Sequence, residues 1–450
     1  MPAPQEEPHA SRTASARRTI AAATVGNALE FYDFITYSFF AIQIGRALFP
    51  AEGKFGSLLL SLATFGVGFV TRPIGGIVIG AYSDRAGRRP AMMLSFTLMG
   101  GAIVAMALIP PYTRIGVAAP ILAVIARMVM GFSLGGEVGP NTAYLLESAP
   151  VKKRGLMVSW QGASQNISAT VGGVVGVLLS ATMSSSALDS YGWRIAFLLG
   201  AVTVPFGLWV RRGLPETLHN VEESAFAVAK AAATRLGTVR EHWKIVGLSV
   251  VILAAGTIST YVTDYMTTFA QDTLQIASGP AFGVTVVSNV AGIIGTLYGG
   301  WASDRFGRRA LMIWPNLICL LMTYPVFLWI VHSRSVTALF VGMGVLNLFS
   351  NMPFGAFLAA MTESLPKNIR GGAVATIYAV SIAAFGGTCQ FVIRWLIGPP
   401  PGHPMAPAWY LLVATVFGQI AMQFFPESAP AVREGGPLAA ESSPLPDPRP

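Results

Sequence analysis

The chain has 450 residues, of which 53% are hydrophobic and only 11% are charged. A soluble domain carries about 25% charged residues, so the composition excludes a soluble globular protein and predicts a lipid bilayer as partner. The net charge of +9 would suit a nucleic-acid ligand. The placement of the basic residues instead indicates a membrane topology with no nucleic-acid partner.

Long apolar runs recur along the whole chain, and a membrane-spanning helix needs about 20 such residues. They predict an all-α membrane protein of about twelve transmembrane helices in two pseudo-symmetric six-helix bundles. The predicted spans lie near residues 19–48, 56–81, 91–110, 117–145, 155–182, 194–211, 244–271, 280–302, 310–331, 336–362, 371–398 and 407–425.

The domain boundaries follow from these spans. The two bundles are predicted over residues 19–211 and 244–427, joined by a polar cytoplasmic linker at 212–243. Residues 1–18 and 428–450 are predicted to be disordered cytoplasmic tails because they are rich in proline, alanine and charge.

The basic residues predict the orientation. With both termini in the cytoplasm, 22 lysines and arginines fall on the cytoplasmic side and five on the other. Cytoplasmic loops of membrane proteins carry such an excess of positive charge. We therefore expect a multi-pass protein of a bacterial-type inner membrane, with no cleaved signal peptide.

The first span places four polar residues on one helical face, because they recur at three- and four-residue steps. Asn27 and Tyr37 are candidate substrate ligands, and Glu30 and Asp33 are candidate proton carriers. Glu137 in the fourth span is the third candidate proton carrier. Burial and like charge raise the pKa of a carboxyl group towards neutrality, as a proton carrier requires.

Three arginines, Arg72, Arg127 and Arg394, fall inside predicted spans. A charge in hydrocarbon costs several kcal/mol, so each must face a cavity or a partner. A guanidinium binds a carboxylate with two parallel hydrogen bonds, which makes these arginines candidate ligands for an organic acid. Structural ion pairing within the bundle is the alternative.

Further polar side chains lie on the predicted inward faces of other spans. In the fifth span Gln161 and Gln165 belong to a polar stripe, and in lipid such a stripe must face inward. Helix–helix hydrogen bonding is the alternative role of that stripe. The candidate substrate ligands from these spans are Gln161, Gln165, Asn166, Tyr261, Asp264, Tyr265, Asn347, Asn351 and Gln390. Asp264 is predicted near the outer end of its span.

One ten-residue sequence occurs twice, as GAYSDRAGRR at 80–89 and GWASDRFGRR at 300–309, 220 residues apart. Each copy follows an apolar run, which is typical of a transporter made of two homologous halves. We expect both loops to be conformational latches at the cytoplasmic side. The latch residues are Gly80, Asp84, Arg85, Gly87, Arg88, Arg89, Gly300, Asp304, Arg305, Gly307, Arg308 and Arg309.

All five histidines fall in predicted loops or tails. A coupling proton would therefore be carried by carboxylates, and we expect no cofactor or metal. The sequence has no P-loop, nucleophile elbow or Cys/His metal cluster, so we do not expect an enzyme or an ATP-driven pump.

These residues resemble the major facilitator superfamily and, within it, the metabolite:proton symporter family. The two DRxGRR loops carry the superfamily resemblance. GNALEFYDF at 26–34, RPIGG at 72–76, RMVMGFSLGGEVG at 127–139 and ESAPVKKRG at 147–155 are similar to motifs of that family. SWQGASQ at 159–165 is most similar to its citrate and tricarballylate branch. The resemblance covers residues 19–428, with Met130, Asn166, Asp264 and Arg394 as departures from the pattern.

The resemblance implies a secondary active transporter that takes up a small organic anion with protons by alternating access. The substrate would be citrate or another tricarboxylate or dicarboxylate, and the protein would be a monomer. Three alternatives stay open: a symporter for a zwitterion such as betaine or proline, a proton-antiporting exporter, and a membrane receptor on a transporter fold.

Overall fold

The computed structural model describes residues 27–28, 31–32, 35–51, 53–86, 88–135, 142, 145–146, 149–212, 242–366 and 370–433. The three predicted proton carriers, Glu30, Asp33 and Glu137, lie outside these residues. So do Gly87 of the first duplicated loop, residues 213–241 of the predicted linker and most of the predicted tails.

A helix lies within each of the twelve predicted spans. In the first half these helices are α1 (Ala41–Leu48), α2 (Gly53–Val70), α3 (Arg72–Ala86), α4 (Arg88–Leu108), α5 (Ala118–Ser133), α6 (Arg154–Thr182) and α7 (Trp193–Arg212). Residues 27–28, 31–32 and 35–39, ahead of α1, are also helical. Shorter turns occupy Tyr112–Ile115, Val151–Lys153, Ser185–Ala187 and Leu188–Gly192.

The second half contains α8 (Trp243–Asp272), α9 (Ser278–Phe306), α10 (Arg308–Ser333), α11 (Val336–Ser364), α12 (Arg370–Ser381), α13 (Gly387–Ile397) and α14 (Ala406–Gln423). A π-helical turn, Ile382–Gly386, joins α12 to α13. Among the described residues, seven helices are long and apolar enough to cross a membrane.

The structure differs most clearly from the predicted spans and tails in two places. The second span divides at Thr71, whose hydroxyl group donates to the carbonyl oxygens of Gly68 and Met128 and so holds the turn against α5. The predicted C-terminal tail begins at residue 428, whereas Ser428 and Ala429 are buried and a short helix, Pro430–Arg433, follows them. Glu427 explains why this segment is folded, because its carboxylate accepts hydrogen bonds from the backbone N–H groups of Ser428 and Ala429.

The two halves meet along α6 and α9. Small residues let these helices approach closely, as membrane helices do where glycine lies in the interface. A Cβ atom on Gly300 would lie 2.6 Å from the Gly155 carbonyl oxygen, and one on Gly176 would overlap the Phe282 ring. A second seam joins α2 to α13, where Gly66 lies against Gly387.

The halves touch each other on both sides of a central cavity. We call the end that carries Asp304 the basic end, which is the predicted cytoplasmic side, and the opposite end the far end. At the basic end Asp304 contacts the start of α6. At the far end the rings of Phe40 and Phe282 lie 4.9 Å apart, and the Gln43 amide donates to Gln271.

Candidate functional site

The central cavity lies between the two halves and has a wall of amides, hydroxyls and aromatic rings. Its apolar lining includes Phe31, Ile35, Leu253, Phe354 and Ile382. Both halves contribute polar groups, which is the composition of a small-molecule site rather than of a packing defect. The polar lining residues are Gln165, Asn166, Thr257, Thr260, Tyr261, Asp264, Asn289, Asn351 and Tyr378.

Five of the predicted substrate ligands lie on this wall: Gln165, Asn166, Tyr261, Asp264 and Asn351. Asp264, which the sequence places near the outer end of its span, is 3% exposed and lies in the cavity wall. The sequence places these residues on three helices, and the structure brings them to one cavity.

Hydrogen bonds across the cavity join the two halves. The Gln165 amide of α6 donates to the Tyr378 hydroxyl of α12 at 2.8 Å. The Asn166 amide of α6 donates to the Asn351 side-chain oxygen of α11 at 3.1 Å, and Asn351 in turn donates to Asn347. Because these side chains bind across the cavity, a ligand that replaced their bonds would change how closely the two halves approach each other.

Other predicted ligands support the wall from behind. The Asn27 amide donates to the Ser164 hydroxyl at 2.7 Å and accepts from Gln161 at 3.0 Å, which fixes the first helix against α6. Asn347 accepts from Thr263 and donates to the Ser288 carbonyl oxygen. These residues therefore position wall residues without lining the cavity themselves.

Two of the buried arginines lie in the first half among aromatic rings. The Arg127 guanidinium is fully buried, 4.6 Å from the Tyr37 ring centroid and 5.0 Å from that of Phe65. The Arg72 guanidinium lies 4.6 Å from the Phe69 ring. Arg72 also interacts electrostatically with the cavity residues Tyr261 and Tyr378. Its charge therefore lies directly behind these two wall residues.

Arg394 lies at the far end and spans the two halves there. Its guanidinium pairs with Asp272 at the end of α8, 3.2 Å away, and lies 4.6 Å from the Phe55 ring of α2. The predicted substrate ligand Gln390, one turn earlier, donates to the Ser38 hydroxyl of the first half. Arg394 and Gln390 thus join the halves beyond the cavity, and Tyr265 is buried nearby.

Several wall residues are absent from the sequence prediction. Thr257, Thr260, Tyr261 and Asp264 follow an i, i+3, i+4, i+7 spacing, so the two threonines could have been found from the pattern that continues to Asp264. Asn289 follows Thr285 and Ser288 at an i, i+3, i+4 spacing, so it also could have been found from the sequence pattern. Tyr378 is the one polar side chain that α12 contributes to the described cavity wall, and a single residue gives no periodic signal.

The second duplicated loop forms a buried network at the basic end. The Asp304 carboxylate accepts hydrogen bonds from the backbone amides of Gly155 and Leu156, at 2.8 and 3.0 Å. These amides belong to the first turn of α6, where backbone N–H groups have no partner within the helix. Asp304 of one half therefore caps a helix of the other half, with the charge that the helix dipole favours.

Arg308 extends this network within the second half. It pairs with Asp304 at 2.8 Å and binds both oxygens of Glu363, at 3.1 and 3.2 Å. The Glu427 carboxylate accepts from the backbone amides of Arg308 and Arg309 and so caps α10. Gly307 has a φ of 99°, a left-handed conformation that glycine permits between α9 and α10.

The remaining latch candidates do not share one network. The Arg305 guanidinium lies 4.6 Å from the Trp301 ring on the exposed side, and the Arg309 side chain donates to the Gln423 carbonyl oxygen. In the first copy Gly80 lies within α3. The structure does not describe the side chains of Asp84, Arg85, Arg88 and Arg89.

The sequence profile of the Major Facilitator Superfamily matches residues 24–388. The chain belongs to the Major Facilitator Superfamily. Members of this superfamily are membrane transporters, and the predictions of the superfamily and of its all-α fold are confirmed.

This superfamily member is similar to the following two proteins in sequence and to one solved structure in fold. The citrate-proton symporter of Salmonella typhi is 35% identical over 402 residues, which cover 88% of this chain and 91% of that protein. The glycine betaine/proline/ectoine/pipecolic acid transporter OusA of Dickeya dadantii is 30% identical over 437 residues, 94% of this chain and 86% of that protein. The partially occluded inward-open xylose transporter XylE from E. coli matches in fold, with a TM-score of 0.71, 17% identity and coverage of 92% and 98%.

Proposed function

We propose that this chain is a proton-coupled symporter that takes up a small organic anion of the tricarboxylate or dicarboxylate class. The observation that carries the proposal is the cavity wall, which presents four amides, Gln165, Asn166, Asn289 and Asn351, from both halves. Amide N–H groups donate to carboxylate oxygens, and a bound carboxylate would replace the bonds that Gln165 makes to Tyr378 and Asn166 makes to Asn351. The similarity to citrate-proton symporters supports this substrate class.

Positive charge behind the wall supports an anionic substrate. Arg72 is close enough to Tyr261 and Tyr378 to interact with both electrostatically, and Arg127 interacts with Arg72 from deeper in the first half. Fixed charges in a site of low dielectric act more strongly than in water. Arg72 is the first candidate for the carboxylate ligand. Arg127 would instead act on the anion at a distance, through the electric field of its charge, and through its contact with Tyr37.

The transport cycle would alternate the two ends of the cavity. The Asp304 network would hold the basic end closed, and the Arg394 contacts would hold the far end closed. Proton carriage by Glu30, Asp33 and Glu137 stays a prediction, with the proton as coupling ion and no cofactor. Both termini would lie in the cytoplasm of a bacterial cell, and the monomer would be the working unit.

Competition for transport tests the substrate class. Purified protein in proteoliposomes would take up labelled citrate or succinate under an imposed pH gradient, in competition with tricarballylate, 2-oxoglutarate, betaine and proline. We expect the carboxylic acids to compete and the zwitterions not to compete. Arg72→Lys keeps the charge but loses the planar guanidinium group that can donate two parallel hydrogen bonds to a carboxylate. Anion affinity should therefore fall about 10- to 100-fold. Arg114→Lys, an exposed site at the far end, is the matched control.

A zwitterionic substrate such as betaine or proline is the second candidate. Asp264 lines the cavity together with the aromatic rings of Phe31, Tyr261 and Phe354, and a quaternary ammonium group binds aromatic faces and carboxylates. The relative OusA bears a name of this substrate class. Competition by betaine and proline alone in the same assay would favour this candidate over the anion.

Arg394→Gln should open the far end. The variant loses the ion pair to Asp272 and the contact with Phe55, so the closed far end should lose about 1–3 kcal/mol, a 5- to 150-fold change in population. A cysteine introduced at Thr257, a buried residue of the cavity wall, would then react faster with an impermeant maleimide added from that side. Arg114→Gln should leave the labelling rate unchanged. Equal labelling of both variants would mean that Arg394 is not part of a gate.

A further inference from the structure

Asp264 is the one charged residue among the described residues that line the cavity. It follows Thr257, Thr260 and Tyr261 on the same face of α8, so the helix directs a continuous polar strip into the cavity. The side chain is 3% exposed.

No hydrogen bond or ion pair joins the Asp264 carboxylate to another described residue. The titratable groups that interact with it are Tyr261 on its own helix and Cys389 on α13, both neutral in their ordinary state. On the other packed helices Tyr378 of α12 interacts with Tyr261, and Tyr410 of α14 interacts with Cys389. From α6, α9 and α11 the cavity receives neutral amides.

The buried arginines of the described residues do not pair with Asp264. Arg394, on α13, is paired with Asp272, eight residues further along α8. Arg72 and Arg127 lie against the rings of Phe69, Tyr37 and Phe65 in the first half, and both interact with Tyr261 rather than with Asp264. A buried carboxylate with no charged partner among the described residues is disfavoured in its charged form, so Asp264 gains most from a proton or a cation that arrives through the cavity.

We propose that Asp264 carries a coupling proton in the second half of the transporter, an inference that rests on the proposed symport function. With the far end open, a lone pair of one carboxylate oxygen takes a proton from water and forms a neutral carboxylic acid. With the basic end open, and after the anion has left, the O–H bond breaks. The electron pair stays on the oxygen, and the proton passes to cytoplasmic water.

Charge in the shared cavity gives the coupling. An ionised Asp264 repels an anion held by Gln165 and Asn351, whereas the protonated acid does not repel it and can donate a hydrogen bond to it. At cavity distances and an effective protein dielectric, the repulsion corresponds to roughly 100-fold in anion affinity. Anion binding would therefore require Asp264 to be protonated first.

Proteoliposomes that contain wild type, Asp264→Asn or Asp264→Glu test this assignment. Asp264→Asn imitates the protonated acid, so it should retain counterflow exchange of labelled succinate and lose accumulation under a pH gradient. Its anion affinity should no longer fall as the pH rises, whereas that of wild type should fall. Asp264→Glu should keep gradient-driven accumulation. Asp189→Asn, in an exposed ion pair with Arg46, is the control and should behave as wild type.

An infrared titration provides a second readout, which does not depend on transport. The carboxylic-acid C=O band of wild type should lose intensity as the pH rises, and part of that change should be missing in Asp264→Asn. The proposal is overturned if Asp264→Asn accumulates succinate as wild type does. It is also overturned if the two titrations are identical, or if betaine binds wild type and loses binding in Asp264→Asn. If wild type transported no acid but the infrared difference between wild type and Asp264→Asn persisted, only the proposed symport function would be refuted.

Discussion

Gly300→Ala should strongly slow transport by keeping the basic end open. A Cβ atom at this position would lie 2.6 Å from the carbonyl oxygen of Gly155 and from the side chain of Ser159, so α6 and α9 would have to separate. Overpacking costs about 1–3 kcal/mol and applies only to the closed state, which shifts the population of that state by about 5- to 150-fold. The transport rate should fall at least about 10-fold.

Gly247→Ala is the matched control for this substitution. Gly247 also lies in a helix, α8, and nothing lies within 4 Å of the Cβ atom that the substitution adds. Both substitutions gain the same helix propensity, about 1 kcal/mol, so the difference between them isolates the contact across the seam. The labelling rate of a cysteine at the buried cavity residue Thr257, measured from the basic side, should rise in Gly300→Ala only. Normal transport by Gly300→Ala would show that the halves need not close there.

Asp304→Asn should also shift the transporter towards the state that is open at the basic end. The carboxylate accepts hydrogen bonds from two amides of α6 and from Arg308, whereas an asparagine side chain has a single acceptor oxygen. Hydrogen bonds to charged groups contribute about 1.5–3 kcal/mol each, so the loss of one bond across the seam should slow transport about 10-fold or more. Apparent substrate affinity should change only as far as the population shift requires.

The control for Asp304→Asn is Asp189→Asn. Asp189 pairs with Arg46 at 2.6 Å, but both side chains are partly exposed, and such a pair contributes about 0.2–1 kcal/mol. Transport rates of the two variants in proteoliposomes and maleimide labelling from each side give the comparison. If Asp304→Asn matched Asp189→Asn in both measurements, the duplicated loop would have no latch role at Asp304.

The helices and the duplicated halves could be predicted from the sequence because their signals are long. A span needs about 20 apolar residues, and the repeated loop is ten residues long, so neither depends on one side chain. The wall residues of α6 were also predictable. Gln165 lies in a polar stripe that lipid cannot accept, and the structure places it in the cavity.

The partners of single charges could not be predicted in the same way. Residue count gives the depth of Arg394 in its helix, but not its rotation or the neighbouring helix that it faces. Asp272, at the far end of α8, was therefore not recognised as its partner. Residue count likewise places Asp264 near the outer end of α8, but it does not show that the packing of α8 turns the side chain into the cavity.

The contact between Asp304 and α6 has a consequence for natural variation. One side of this contact is a carboxylate, but the other side is main chain, and every amino acid except proline supplies the same N–H group. In a mutational scan Asp304 should therefore tolerate few replacements, while Leu156 should tolerate many. Covariation between positions 304 and 156 should therefore be weak even though the two residues are in contact. An alignment of relatives would not reveal this contact of the closed state.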